Sequence, residues 1–258
     1  MPDASVNPKW LSDVKRRVGY CICFGLNPQQ VQEAGSILQE VANDWRDLVA
    51  GSEGYLTGID RRGLFKHEIA WGDMTLWQQW LIFSAAVHVN NVVYNRYAES
   101  ARVKWLQNFA IHIDPTHSDE WNLLATPNAL GLILQSIETV YKFPLTWPDH
   151  ISVYHKLRPF PADPAAFDLD VIILSELHQR PAARCSESLL VYNYQSRQKI
   201  PMPSFMRDAF EETLRLQKAA KEEKVGRIQS LLERVTKLEK ESWDREGAKE
   251  DMGSGASR

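Results

Sequence analysis

The sequence predicts an α+β fold in which an antiparallel sheet wraps around one long helix. Two observations predict this layout. An apolar stripe with helical spacing runs from Tyr94 to Phe109, and strand-like patterns follow it at 150–158, 167–177 and 183–195. A helix with a single apolar stripe buries that stripe against one face of a sheet. The pattern therefore favours a helix packed on a sheet over alternating βαβ units.

Residues 1–66 are predicted to form a helical extension. Asn27 is a good helix N-cap and Pro28 suits the first helical turn. Apolar residues then recur at helical spacing up to Trp45, and the helix should end near Gly51. The glycine-rich connector 51–63 lacks the GK[ST] ending of a phosphate-binding loop, so we interpret it as a surface turn.

Residues 67–206 are predicted to hold the sheet and its helix. A short strand at 67–74 leads to the long helix, which begins near Asn90 or Asn91, and a second helix is expected over 127–134. The proline-containing stretch 141–147 indicates an edge strand or the end of a strand. The strands at 167–177 and 183–195 are joined by so short a link that they should form an antiparallel hairpin.

Residues 207–246 are predicted to form a charged amphipathic helix, and 247–258 a disordered tail. The stretch 207–250 holds eleven Lys or Arg and eleven Asp or Glu residues. A heptad register with Ile228 and Leu231 at apolar positions leaves two readings open, a solvated helix on its own domain or a helix that binds a partner.

Composition excludes several classes of protein. Hydrophobic residues make up 44% and charged residues 24% of the 258 positions, which is ordinary for a soluble globular chain. The net charge of −3 gives no electrostatic case for nucleic-acid binding. The sequence contains no uninterrupted run of about 18 apolar residues, so we expect no membrane-spanning helix. The three cysteines and the lack of an apolar leader predict a cytoplasmic protein. Because the cysteines form no Cys/His cluster, we expect no metal site, and we expect no cofactor.

The run HVNNVVYNRYAESARVKW at residues 88–105 carries the informative motif. It resembles the HxNNxxYxxxxExxR signature of hotdog-fold acyl thioesterases, in the 4-hydroxybenzoyl-CoA thioesterase-like group. The matching positions are His88, Asn90, Asn91, Tyr94, Glu99 and Arg102. More narrowly, nearly the whole chain resembles a fungal group of thioesterase-like proteins, some of which are linked to polyketide pathways.

The resemblance implies a hotdog fold, hydrolysis of an acyl thioester carried by CoA or a carrier protein, and a homodimer with sites at the subunit interface. Thioester hydrolysis places negative charge on the carbonyl oxygen, which the N–H groups and dipole of a helix N-terminus stabilise. Asn90 and Asn91 lie at such a terminus. The resemblance assigns substrate binding to them, together with Tyr94 and Arg102, and allows His88 a catalytic role.

The sequence departs from the family at the carboxylate that attacks or activates water. The usual Asp lies four to six residues before the histidine, where this chain has Ile82, Phe83 and Ser84. The nearest upstream carboxylate is Asp73. The intervening stretch 75–87 is either a genuine insertion or an error in the gene prediction, and both readings stay open.

Glu99 is the second candidate for the catalytic carboxylate. Arg102 follows it at i+3, so a plain ion pair on the helix surface is the structural alternative. Two other functions stay open as well. One is a hotdog protein that binds a polyketide and directs its cyclisation, release or dehydration. The other is a non-catalytic interaction protein that uses the charged C-terminal helix.

Overall fold

The structure, a computed structural model, describes residues 6–74, 88–124, 126 and 129–250. Its contacts group the chain into two units. One unit comprises Met1–Ser52 with Lys221–Arg258, and the other comprises Glu53–Ala220. The expected division into segments ending at residues 66, 206 and 246 stays a prediction. Part of the stretch expected to be a disordered tail, 251–258, lies outside the described residues.

The first unit is helical, as the N-terminal pattern predicts. Helix α1 spans Trp10–Ile22 and α2 spans Pro28–Gly51. The Asn27 side chain accepts a hydrogen bond from Gln30 N at 3.0 Å, and Asn27 N donates to Gln30 Oε1 at 2.9 Å. This reciprocal cap satisfies two N–H groups that the first turn would otherwise leave without partners.

The second half of helix α5, which spans Ser204–Glu241, completes this unit. Arg227 lies 2.6 Å from Asp44 on α2, and Arg234 lies 2.7 Å from Glu33. The apolar heptad positions of this half are buried, namely Ile228, Leu231, Val235 and Leu238. The apolar face therefore has partners within the chain, which weakens the hypothesis of a free partner-binding helix.

The second unit contains a six-stranded antiparallel sheet. Its strands are β1 His67–Glu68, β2 Leu130–Tyr141, β3 His150–Leu157, β4 Ala166–Ser175, β5 Arg180–Asn193 and β6 Gln198–Lys199. The order is β1-β3-β4-β5-β2, and β6 pairs with β5. The predicted hairpin is confirmed, because β4 pairs with β5 in antiparallel register from Ser175↔Arg180 to Ala166↔Leu190.

Helix α3, Asn91–Asn108, carries the predicted stripe into the core of this unit. Tyr94, Ala98, Ala101, Trp105 and Phe109 are all at most 2% exposed. The first part of the stripe packs with β3, β4 and β5, and the last part packs with the short helix α4, Ser118–Leu123, and the first half of α5. The predicted α+β class, a curled antiparallel sheet with one long helix against it, is confirmed.

The expected helix over 127–134 is wrong, because strand β2 begins at Leu130 and pairs with β5 from Leu130↔Asn193 onward. Leucines fit either element, and the long pairing with β5 decides for the strand. Residues 127 and 128 lie outside the described residues. The stretch 141–147 holds only the end of β2, after which Leu145 N donates to the Tyr94 hydroxyl at 2.9 Å. The backbone there turns back to α3, and Pro144 offers no N–H for a ladder.

The first half of α5 belongs to the sheet-bearing unit. Its Phe210 packs 5.2 Å from the Phe167 ring, centroid to centroid. Gln217 donates to Leu157 O and accepts from Leu157 N, both at 2.9 Å, at the end of strand β3. No helix in the described part of the chain is long and apolar enough to cross a bilayer.

Gly63 allows the chain before β1 to lie directly on helix α3. A Cβ atom at this position would stand 2.6 Å from Ala101 Cβ and 2.8 Å from Ala101 O. Its N–H donates to Val153 O at 3.2 Å, so the segment is also bonded to β3. No side chain larger than hydrogen fits between the helix backbone and the sheet here.

We expect Gly63→Ala to lower the free energy of unfolding by about 1–3 kcal/mol, the range seen for overpacked cores. Denaturant titration followed by circular dichroism measures the change. Gly226→Ala is the matched control: a Cβ atom there meets nothing within 4 Å, and the position lies inside α5. Alanine should stabilise that helix by up to about 1 kcal/mol. An unchanged midpoint for Gly63→Ala would contradict the close approach.

Candidate functional site

The start of helix α3 is built by its two asparagines. Asn90 is the N-cap, and its side chain accepts a hydrogen bond from Val92 N at 3.1 Å. Asn91 is the first helical residue, and its carbonyl accepts from the Tyr141 hydroxyl at 3.1 Å. Both asparagines are exposed. The positive end of the helix dipole therefore lies at the protein surface, where a developing oxyanion would be stabilised.

Asp73 lies beside this helix start although it is far from it in sequence. Met74 and Val89 form an antiparallel bridge, and Asn90 N donates to Asp73 O at 2.9 Å. The stretch 75–87, the expected insertion, lies outside the described residues. Its two flanks meet, so the segment before it is paired to the N-cap of α3. This pairing brings the upstream carboxylate to the helix start.

Two donors hold the Asp73 carboxylate by the same oxygen. Oδ2 accepts from Ala70 N at 3.0 Å and from the Tyr97 hydroxyl at 2.8 Å. Burial raises the pKa of Tyr97, and the bond to Asp73 raises it further, so the phenol stays a donor. Sequence reasoning missed Tyr97. The available signal was its spacing, since Tyr97 lies about one turn beyond Tyr94 on the same helix.

Tyr94 has a structural environment. It is 2% exposed, and its hydroxyl accepts from Leu145 N at 2.9 Å. Its ring packs edge-on against Tyr141, with the centroids 5.1 Å apart. Burial raises its pKa. The side chain thus fastens the loop after β2 to the helix.

His88 is half-buried, and its Nδ1 lies 3.0 Å from the Val89 carbonyl oxygen. That contact ties the ring to the backbone of the neighbouring residue. A ring held in this way orients the turn into α3. No side-chain hydrogen bond from the ring to Asp73 is formed within the part of the chain that the structure describes.

Arg102 does not pair with Glu99. It is 8% exposed, and its Nη1 lies 2.6 Å from Oε1 of Glu187 on β5. His155 of β3 has its Nε2 3.7 Å from the other oxygen of Glu187. Burial raises the pKa of Glu187, and the Arg102 charge partly opposes this rise. Burial, aided by the same charge, lowers the pKa of His155 to about 3, so its ring is neutral at physiological pH.

Sequence reasoning assigned no role to His155 or to Glu187. The available signal was one polar residue on an apolar strand face, since His155 shares its face with Ile151, Val153 and Leu157. A buried polar group needs a partner, so such a residue predicts a polar contact across the core.

Glu99 and Arg102 lie on a cavity of about 210 Å³. Its other lining residues are Val103, Leu106, Leu124, Thr126, Leu132, Leu134, Leu189 and Tyr194. Glu99 is eight residues beyond Asn91, which is about 12 Å along a helix. The site residues expected from the sequence therefore form two groups, one around Asp73 at the helix start and one around Glu99 farther along.

No metal site accompanies either group. In the described ranges, no cluster of three or more His, Cys, Asp or Glu side chains could hold an ion. The chemistry available at the helix start is that of a carboxylate beside a helix N-terminus. The chemistry available in the cavity is that of a carboxylate beside an apolar wall.

Residues 65–210, more than half of the chain, match the family described as the thioesterase-like superfamily. The chain belongs to this superfamily. No curated protein matches it in sequence.

Solved structures with a similar fold include three bacterial proteins. A Thermus thermophilus thioesterase complexed with coenzyme A and zinc is 16% identical over 62% of this chain and 98% of its own, with a TM-score of 0.45. A Staphylococcus aureus protein in complex with CoA is 12% identical over 63% and 89%, with a TM-score of 0.46. A 1,4-dihydroxy-2-naphthoyl-CoA thioesterase from Synechocystis is 16% identical over 58% and 95%, with a TM-score of 0.43.

We expect Arg102→Ala to destabilise this thioesterase-like chain by about 3–5 kcal/mol near pH 8, because it leaves Glu187 buried without its cation. The pKa of Glu187 should then rise further, and the folded variant should bind a proton that the unfolded chain releases. The loss of stability should therefore shrink as the pH falls from 8 to 5.

Thermal unfolding midpoints across that pH range measure the effect. Arg215→Ala is the control, since Arg215 pairs with Glu212 on the surface at 2.6 Å and should change the midpoint little. A deficit for Arg102→Ala that is independent of pH would contradict an ionised Glu187 as its cause.

Proposed function

We propose that this chain hydrolyses an acyl thioester carried by CoA or by a carrier protein, with Asp73 as the carboxylate. The observation that carries the proposal is the hydrogen bond from Asn90 N to the Asp73 carbonyl oxygen, which brings Asp73 to the N-terminus of α3. Membership of the thioesterase-like superfamily supports the reaction class. A carboxylate and an anion-stabilising terminus are the two elements that thioester hydrolysis needs.

In the proposed reaction the thioester carbonyl lies at the start of α3, positioned by Asn90 and Asn91. Both hydrogen bonds to Asp73 reach Oδ2, so Oδ1 is the oxygen proposed to face the substrate. Asp73 takes a proton from water as the water oxygen attacks the carbonyl carbon. The C–S bond then breaks, the sulfur takes the proton from Asp73 and leaves as the free thiol, and the carboxylic acid is released. Direct attack by Asp73, followed by hydrolysis of the anhydride, is the alternative route.

Glu99 is the competing carboxylate, because it lines the cavity of about 210 Å³. If the acyl group enters that cavity, its carbonyl lies nearer Glu99 than the helix start. We assign Tyr94 and Arg102 indirect roles in substrate binding. Tyr94 fixes the loop over the helix start, and Arg102 shapes the cavity wall. His88 orients the turn that leads into α3.

A homodimer is part of the proposal. Strand β2 has twelve residues, and the only strand with which it pairs in the described part of the chain is β5. Exposed Leu134, Val140 and Tyr141 lie on this outer strand. A long unpaired edge with apolar side chains is a ready template for a second strand. Pairing of β2 with its copy would join two sheets and add a second wall to each site.

A second candidate function is polyketide binding with cyclisation, release or dehydration in a fungal pathway. The residues in its favour are Ile82, Phe83 and Ser84, which stand where the family has its carboxylate. The cavity beside Glu99 would suit such a ligand. The free cysteines Cys21, Cys23 and Cys185 suit the reducing cytoplasm, which we propose as the compartment.

Release of free thiol from a panel of acyl-CoAs tests the hydrolase. We expect Asp73→Asn to lower kcat/KM by a factor of 100 or more, since removal of a general base costs about 10²–10⁴ in rate. Glu99→Gln should change KM more than kcat. Glu211→Gln, an exposed residue on α5, is the matched control and should keep full activity.

Loss of activity in Glu99→Gln with Asp73→Asn unaffected would move the catalytic role to Glu99. A folded wild type without activity on any acyl-CoA or acyl-carrier substrate would overturn hydrolysis and favour the polyketide-binding alternative. Circular dichroism spectra that match the wild type are required for each variant before its rate is interpreted.

A further inference from the structure

His155 on strand β3 is a titratable side chain that the proposed reaction does not use. It is 1% exposed, so its ring is enclosed by the core of the sheet-bearing unit. The ring stacks on the indole of Trp105 from helix α3, with the centroids 6.0 Å apart and the planes inclined by 30°. The imidazole therefore takes a place in the core that an apolar aromatic side chain would also fill.

The His155 ring lacks hydrogen bonds. Neither of its nitrogens has a hydrogen-bond partner among the residues that the structure describes. Glu187 Oε2 lies 3.7 Å from Nε2, which is too far for a hydrogen bond. A neutral imidazole has one N–H donor to satisfy, whereas an imidazolium has two and a charge as well. Protonation of the ring in this place would therefore cost more than it does in water.

The charged groups that face His155 come from α3 and β5. Arg102 of α3 brings a positive charge, and Glu187 of β5 is already engaged by Arg102 at 2.6 Å. On β4 the register partner of His155 is Val171, which carries no charge. Burial, aided by the Arg102 charge, lowers the pKa of His155 to about 3. The fold therefore keeps the ring neutral in mild acid.

The unfolded chain gives His155 an ordinary aqueous environment, in which a histidine has a pKa near 6.5. Acid therefore protonates this residue in the unfolded chain first, and its contribution to stability falls as the pH drops below about 6.5. Glu187 acts in the opposite direction, because burial raises its pKa and the folded chain then binds a proton more readily than the unfolded chain. The two effects belong to different residues, so a substitution can separate them.

We propose that His155 is an acid-sensitive element of the core, through which a fall in pH below about 6.5 favours separation of α3 from strands β3 and β5. The buried ring without partners and the Arg102 charge beside it carry the proposal. A proton on the imidazole is accommodated only where α3, which supplies Arg102 and Trp105, moves away from the strands and admits water. The inference does not depend on the reaction proposed at Asp73.

Denaturant unfolding of the full chain at pH 7.5 and at pH 5 tests the proposal. A proton that only the unfolded chain binds at His155 should raise the unfolding equilibrium constant of the wild type by about thirtyfold between these pH values. His155→Phe keeps an aromatic ring against Trp105 and removes the titrating group. The ratio of the two unfolding constants, wild type over variant, should therefore grow by the same factor of about thirty in acid.

His112→Phe is the matched control, since His112 is exposed in the turn that follows α3. It should keep the pH dependence of the wild type. A second measurement needs no variant to fold. In the NMR spectrum of the folded wild type, the ring carbons of His155 should keep the shifts of a neutral imidazole from pH 7.5 to pH 5.

A His155 signal that titrates near pH 6.5 in the folded protein would overturn the proposal. So would a ratio of unfolding constants, wild type over His155→Phe, that is the same at both pH values. If His155→Phe does not fold, His155→Gln tests the same pH dependence, because its amide does not titrate in this range. None of these measurements uses enzymatic activity, so failure of the proposed hydrolase would leave their outcome unchanged.

Discussion

The burial of helix α3 against the sheet is the constraint on which both site groups depend. The stripe from Tyr94 to Phe109 is almost entirely excluded from water, and each large buried side chain of this kind stabilises the fold by about 1.5–3 kcal/mol. A helix held along its whole length has a fixed axis and a fixed rotation. Its N-terminus and its Glu99 face are therefore set by the core and not by the loops around them.

The same burial explains the charged cluster of Arg102, Glu187 and His155 in the core. Arg102 lies on the helix between the stripe and the cavity, and it is only 8% exposed. Glu187 on strand β5 forms an ion pair with Arg102, and the neutral ring of His155 lies beside Glu187. In many proteins the desolvation penalty of a buried ion pair exceeds the attraction between its two charges. The pair matters for stability mainly because removing one partner leaves the other charge buried and unpaired. Here that is a carboxylate enclosed by the sheet.

The sequence predicted what local pattern controls. The helix stripe, the Asn27 and Asn90 caps and the β4–β5 hairpin follow from spacing and turn chemistry over a few residues, and the structure has all of them. The region around Leu130 was misassigned because a leucine run fits helix and strand alike, and pairing with a strand about sixty residues away decided between them.

The candidate site was predictable in its residues more than in its contacts. The helix-start asparagines lie where the cap signal put them. The partner of Arg102 could not be read from i, i+3 spacing, because Glu187 lies on another element and the arginine faces inward. Tyr97 was missed for a similar reason, since its role exists only once Asp73 lies next to it. Long-range pairing, which single-sequence patterns do not encode, is the common cause.

The position of Asp73 follows from backbone pairing. It therefore does not depend on the length of the stretch 75–87 that joins it to helix α3. Met74 pairs with Val89 and Asp73 O accepts from Asn90 N, so the flanks of 75–87 meet whatever the length between them. The cost of closing such a loop grows only slowly with its length. A β-bridge can thus bring a carboxylate that is distant in sequence to the start of a helix. Glu99, by contrast, is positioned by helix geometry alone. Pairing and helical rise are independent constraints, so the chain places two carboxylates at separate points along helix α3: Asp73 from a preceding segment beside the helix start, and Glu99 on the helix itself.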